Sequence, residues 1–309
     1  VFSRYSRVRL VPYPGGHRRL RFHTLMRTFA RPIIRPLRDH EVPLANTWAI
    51  QEDWNPGPAD ALVFNTADPG SLLTIEVGGQ PAGVISAARM SPGFGFAGFF
   101  VLAPEYRRSR FGWYLMQACL DRLEDRVIGV ESVPERIHNY THHGLSASHH
   151  TTAYRGQTPS APARWQAGIG RALDIGIEQL AAYDAANFGV SRDLFLRAWL
   201  RLPDSLALVF KREDRVCGFG AVRLCCHGLR IGPLQADDPE AAEALFDALA
   251  GVVPGSALSV DCPAPNPETR ALLLRKGLTP GFTTTRLYRG EPPRGRPERI
   301  YGLMSFSLG

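Results

Sequence analysis

Residues 98–116 read GFFVLAPEYRRSRFGWYLM, and the rest of the chain is best read outward from them. The apolar run Phe99–Leu102 is too short for a helix and fits a buried strand. Pro104 has no N–H to give to a sheet ladder, so the strand ends there. A basic turn follows, Arg107-Arg108-Ser109-Arg110, and then Gly112. Beyond it, Phe111, Tyr114, Leu115, Ala118 and Leu120 recur at helical spacing. Strand, basic turn and helix start bring free backbone N–H groups and a helix dipole to one place, an arrangement that holds phosphate.

The chain has 309 residues, which fits two domains, and its 44% hydrophobic and 21% charged content is that of a soluble globular protein. No apolar run approaches the roughly 20 residues that span a bilayer, so no membrane partner is expected. The net charge of +7 is concentrated at one end. Residues 1–32 hold eight arginines (4, 7, 9, 18, 19, 21, 27 and 31) and no Asp or Glu, which leaves the remainder at −1. Residues 1–31 are therefore expected to form a basic, disordered tail, Arg-rich and acid-free as transit peptides are. The folded body carries no nucleic-acid signature. Five cysteines with no C-x-x-C pair argue against a disulfide framework and a structural zinc, and point to a reduced, cytoplasmic setting.

Taken in order, Pro32–Leu37 reads as a strand and 39–50 as a helix that Asp39 is suited to cap. Asn55-Pro56-Gly57 breaks that helix, and Ala59–Phe64 forms a second. Leu72–Val77 and Pro81–Arg89 make a hairpin over Gly78-Gly79. After the opening stretch come a strand at Val127–Val130, a short helix at Pro134–His143 and a closing segment at Leu145–Tyr154. Residues 157–168, rich in Gly, Pro, Ser and Ala, read as a linker between a first domain (32–156) and a second (169–309). The order of elements then recurs: a strand at Ala172–Ile177, helices at Glu178–Phe188 and Arg192–Leu200, and a hairpin of Leu206–Phe210 with Val216–Leu224. Alternating strands and helices follow to Lys276, and strands at 281–288 and 299–308 finish the chain. The repeat is one of architecture, with a period of roughly 140 residues.

Three motifs resemble the GNAT N-acetyltransferase superfamily. Its phosphate motif, V-x-P-x-Y-R-G-x-G-x-G/A, is matched at Leu102, Pro104, Tyr106, Arg107 and Gly112, with Arg108 and Arg110 in place of the first two glycines. Tyr140-Thr-His-His-Gly144-Leu145 resembles the family's Y-x-x-x-G-F, whose tyrosine protonates the departing CoA thiolate. Asp53-Trp54-Asn55-Pro56-Gly57 with Asp60 resembles the W-N-P-G-x-x-D-A segment of a tandem subgroup whose second half is a divergent GNAT-like domain. The resemblance implies an α/β fold: two tandem GNAT-like domains, each a mostly antiparallel mixed sheet flanked by helices. It implies acetyl-CoA as cosubstrate, with Phe100, Val101 and Leu102 along the pantetheine and Arg107, Arg108, Ser109, Arg110, Phe111, Gly112 and Trp113 around the pyrophosphate. Tyr140 is then the general acid, and Trp54, Asn55 and Asp60 lie against a small-molecule or peptidyl amine. Glu52, Asp53 and Asp60 are the carboxylates closest in sequence to the Trp54 turn, and one of them is expected to take the ammonium proton, directly or through water.

The second half reads differently. Where its phosphate turn is due the chain runs IGPLQADDPEAAEAL, and Asp237, Asp238 and Glu240 would repel a pyrophosphate. Leu273 stands at the tyrosine position and has no proton to give. This half is expected to do no acetyl-CoA chemistry, and to pack on the first half or complete its acceptor site. Five of the nine histidines (138, 142, 143, 149 and 150) cluster in sequence, and His138 and His142 share a helical spacing. Asn139 stands where a metalloprotease has Glu, so no metal is expected. The chain is thus expected to be a monomeric or homodimeric N-acetyltransferase. The alternatives are an acyl-CoA or amine sensor whose turnover Arg108 and Arg110 have spoiled, and an RNA-binding module led by the tail.

Overall fold

A computed structural model describes residues 31–162 and 164–309; the basic tail expected over residues 1–31 falls almost wholly outside them. The first half runs β1 (Ile33–Pro36), α1 (Val42–Gln51), α2 (Leu62–Ala67), β2 (Leu72–Val77), β3 (Gln80–Ser91), β4 (Phe94–Leu102), α3 (Phe111–Arg122), β5 (Val127–Ser132), α4 (Ile137–Thr141) and β6 (Ser146–Gln157). The second half repeats the order with β7 (Ile169–Arg171), α5 (Ile177–Phe188), α6 (Asp193–Trp199), β8 (Ser205–Arg212), β9 (Arg215–Leu224), β10 (Leu229–Ala236), α7 (Pro239–Ala250), β11 (Ala257–Pro263), α8 (Pro267–Arg275) and β12 (Thr279–Arg289). It ends on β13 (Ile300–Gly302). Three expectations are corrected. The strand expected at Ala172–Ile177 lies earlier, at β7, with a 3₁₀ turn over Ala172–Asp174; the strand expected over 299–308 is only β13. Asp39 opens a 3₁₀ turn without capping it by side chain; Glu41 instead accepts from the Arg38 N–H at 2.9 Å.

The two mixed sheets join into one of thirteen strands, ordered β1-β2-β3-β4-β5-β12-β6-β11-β10-β9-β8-β7, with β13 also on β10. The centre reads as a palindrome. In each half one parallel pair, β4 with β5 and β10 with β11, borders the seam. Between them the halves exchange their last long strands: β12 pairs with β5, and β6 pairs with β11. The two exchanged strands pair with each other, and β-branched residues stitch them, with Thr152 and Thr283 hydroxyls 3.0 Å apart. A shared core backs the sheet. Phe64 on α2 meets Phe99 edge-on at 5.6 Å and Phe195 on α6 at 6.4 Å, so aromatic packing crosses from one half to the other.

Each parallel pair opens into a wedge. β4 and β5 pair only over Phe94–Ala97 and Val127–Val130, and part from Gly98 onward. There β4 carries a bulge: its register on β3 passes from Gly98↔Ser86 to Val101↔Val84, and Phe99 adopts φ +47. In the second half β10 bulges between Ile231 and Leu234, but its wedge is filled by the chain itself. β13 pairs along β10 at Gln235 and Leu234, and a Cβ built on Gly232 would fall 2.2 Å from the Leu303 carbonyl oxygen.

Candidate active site

A cavity of about 870 Å³ occupies the first wedge and extends under the second half. Its first-half wall carries Phe100, Val101, Leu102, Arg107, Ser109, Gly112 and Trp113, all expected on the CoA side. Arg108, Arg110 and Phe111 do not line it. Arg108 and Arg110 are exposed on the turn, and Phe111 turns its ring onto Tyr106 at 5.4 Å. The helix α3 that begins here has no side-chain cap from its first flanking residue. Among the described residues only the Phe111 N–H is met by a nearby side chain, Ser109 Oγ at 3.2 Å, so the first turn keeps orphan donors for an anion. At the equivalent helix start of the second half, Asp238 fills that role itself, accepting from Ala241 N–H at 2.9 Å and pairing with Arg212. Asp237 is held by Arg215 and Arg299, each at 2.8 Å. The second half therefore has both its wedge and its helix start occupied by its own residues.

Tyr140, on α4, lines the cavity with 8% of its surface exposed. Its hydroxyl has no hydrogen-bond partner among the described residues, and burial pushes its pKa well above the ordinary tyrosine value, with Cys119 adding to the shift. The phenol is thus held protonated.

The Trp54–Asp60 turn is divided in its tasks. Trp54 lines the cavity and meets Phe99 edge-on at 6.1 Å. Asn55 lies off it and clamps the β9–β10 turn, accepting from His227 N–H at 2.7 Å and donating to the His227 carbonyl at 3.1 Å. Asp60 lines the cavity but receives both ends of the Arg223 guanidinium, at 2.9 and 3.0 Å. Burial works to lower the Arg223 pKa, and the neighbouring groups, Asp60 first among them, raise it past its ordinary value. Glu52 is ion-paired with Arg107, whose Nε also donates to the Leu102 carbonyl at 3.1 Å. Asp53 is exposed and off the cavity.

A further carboxylate on the wall, Glu131, has no counterpart in the sequence expectations. It sits at the end of β5, paired with Arg286 of β12 at 2.8 Å and bonded by the hydroxyls of Thr151 (3.1 Å) and Thr284 (2.7 Å). The second half also contributes Trp199, Arg223, Arg230, Phe282 and the Ser305–Ser307 segment. A charged residue ending an apolar strand, with its partner 155 positions on, gives no local signal of either role. Among the described residues no group of three His, Cys, Asp or Glu is placed to hold an ion. No helix among those residues is long and apolar enough to cross a membrane.

Residues 34–144 match the model described as acetyltransferase (GNAT) family, and residues 180–302 match a second described as acetyltransferase (GNAT) domain. The chain belongs to the GNAT superfamily, as a tandem acyltransferase. This tandem GNAT protein is 27% identical over 279 residues to the holothin acyltransferase of Pseudoalteromonas sp. (strain SANK 73390), covering 89% of this chain and 94% of that one. In fold it is similar to a putative acetyltransferase from Pyrococcus horikoshii, with a TM-score of 0.76, 18% identity and coverage of 90% and 96%. A tandem GNAT protein from the clavulanic acid biosynthesis pathway aligns with a TM-score of 0.55 at 14% identity, covering 84% of this chain and 99% of its own.

Proposed function

We propose that the chain transfers an acetyl group from acetyl-CoA to a primary amine of a small molecule or peptide. The observation that carries this reading is Tyr140, an unpartnered phenol kept protonated by burial on the wall of an open β4–β5 wedge. The wedge suits a pantetheine arm along Phe100–Leu102, and the α3 start with Ser109, Gly112 and Trp113 suits the pyrophosphate. The amine nitrogen attacks the thioester carbonyl; the C–N bond forms, the C–S bond breaks, Tyr140 gives its proton to the leaving sulfur, and the proton shed by the new amide nitrogen returns through water to the Tyr140 phenolate. Holding both reactants in line supplies much of the acceleration.

For the proton on the acceptor this reading departs from the carboxylates nearest the Trp54 turn in sequence. Glu52, Asp60 and Glu131, the carboxylates on the cavity wall, are each engaged by an arginine. The amine therefore enters as the free base, its proton lost to water beforehand. The exposed positions of Arg108 and Arg110 favour turnover over the sensor reading, because neither side chain crowds the wedge. The test is release of free CoA thiol from acetyl-CoA against an amine panel, after acetyl-CoA is seen to raise the melting temperature. A thermal shift with no turnover on a broad panel would leave the sensor, and no shift at all would remove both.

A further inference from the structure

Two arginines of the second half stand directly opposite each other on the cavity wall. Arg223 of β9 and Arg230 of β10 are cross-strand partners, 3% and 6% exposed, and both line the cavity. Like charges in that register repel, more so away from water, so the pair needs anions. Arg223 has one, the two-pronged Asp60, although its Nη1 has no hydrogen-bond partner. Arg230 does not have an equivalent. The nearest carboxylate, Asp261, stands 3.8 Å from its Nη1, too far for a hydrogen bond, and both Asp261 carboxylate oxygens lack partners. Its remaining contacts are long: Nε to Ser259 Oγ and Nη2 to the Trp54 carbonyl, each at 3.3 Å. A guanidinium in this state still has donor capacity for a fork-shaped acceptor.

The surroundings narrow the ligand. Trp54, Phe99, Trp199, Phe282 and Phe306 line the same cavity, and the Arg223 guanidinium lies over the Trp199 ring at 4.4 Å. We propose that Arg230, with Arg223 beside it, is a carboxylate subsite, and that the acceptor is an amine bearing a carboxylate on an aromatic or apolar body. This rests on the acyltransferase reading and adds the substrate class to it. The division of labour follows from the fold: the first half holds the acyl donor, and the second half, its own wedge closed, holds the acceptor's acid group.

The test uses the full chain with CoA present and two matched probes, N-acetylphenylalanine and N-acetylphenylalaninamide, titrated by calorimetry. The carboxylate probe is expected to bind at least about tenfold tighter than the amide, the effect of one charge-assisted hydrogen bond. Arg230→Gln is expected to bring the two affinities together without changing that of CoA. Because that variant leaves Asp261 unbalanced, the double variant Arg230→Gln/Asp261→Asn is measured alongside and is expected to behave the same way. Equal binding of the two probes to the unmodified chain, absence of binding by both, or a preference that survives in a folded variant overturns the subsite. CoA binding separates the two ideas: CoA bound without a carboxylate preference sinks the subsite alone, whereas no CoA bound sinks the acyltransferase reading.

Discussion

Glu131 of β5 and Arg286 of β12 are register partners across the seam between the halves, 2.8 Å apart and almost wholly buried. The Arg286 guanidinium also lies over the Phe96 ring at 4.8 Å and donates to the Tyr288 hydroxyl at 3.2 Å, so a residue of the second half is built into the floor of the first. Removing one partner of such a pair strands the other charge away from water. Arg286→Met is expected to cost about 3–5 kcal/mol in urea unfolding. The double variant Glu131→Gln/Arg286→Met should recover much of that loss, because Thr151 and Thr284 meet different carboxylate oxygens, so that one hydroxyl can donate to the amide oxygen and the other accept from the amide NH2. A double variant as unstable as the single would show that packing, not charge, sets the cost.

The exchange of β6 and β12 also predicts how the chain comes apart. Neither half keeps a complete sheet without a strand from the other, and Phe64, Phe99 and Phe195 pack across the boundary. Tryptophan fluorescence and far-ultraviolet dichroism should report coincident unfolding in one transition. A fragment 158–309 that melts cooperatively by itself would contradict this.

The sequence exposed what is local and concealed what is mutual. The Pro104 stop and the α3 start follow rules of spacing and turn chemistry, and Tyr140 is legible through its resemblance to a family motif. The exchange could not be read this way. β6 and β12 read the same whether they pair within a half or across it, because alternation fixes a strand's faces but not its neighbour. Asp60 shows the consequence: beside Trp54 it reads as a free carboxylate, and only the fold brings Arg223 to it from 163 positions away. The same blindness applies to the closed second wedge, where β13 returns to β10 after a stretch of glycine, proline and arginine.

Replacing the phenol tests the chemistry. Tyr140→Phe removes one oxygen from a buried ring, and is expected to lower kcat by about 100- to 10,000-fold while leaving acetyl-CoA affinity within a few-fold. The pH profile of the unmodified chain should rise as the acceptor amine loses its proton. With the Tyr140 pKa raised by burial, no fall should appear up to at least about pH 10, the ordinary tyrosine value. A descending limb near neutrality would assign the acid to another group.

His149 predicts an acid limit to stability. Burial first, then the neighbouring Arg286 and His150 charges, depress its pKa from 6.5 to about 4. The unfolded chain therefore takes up a proton that the folded chain refuses. The stability this contributes is present above about pH 6.5 and is lost as pH falls to about 4. In chemical unfolding across that window, His149→Gln should flatten the decline; an unchanged slope would place the lost stability on other groups.

Gly98 marks the closest approach between the wedge and the segment that follows β13. A Cβ at this position would lie 2.8 Å from Ser307 Cα and 2.9 Å from the Ser307 carbonyl oxygen, backbone atoms that cannot rotate away. The segment is held from behind: Arg192, itself paired with Asp184, donates to the carbonyls of Leu308 at 3.1 Å and Gly309 at 2.6 Å. Gly98→Ala must therefore push Ser305–Ser307 out of the cavity or distort the bulge, at a cost of about 1–3 kcal/mol. Ser307→Ala is the control, since it removes only the 3.3 Å bond from the Phe99 N–H to Ser307 Oγ. The acceptor KM is expected to rise more in Gly98→Ala than in the control, with a smaller change in acetyl-CoA affinity. If the two variants match in stability and in KM, close approach at Gly98 is not what holds the acceptor wall in place.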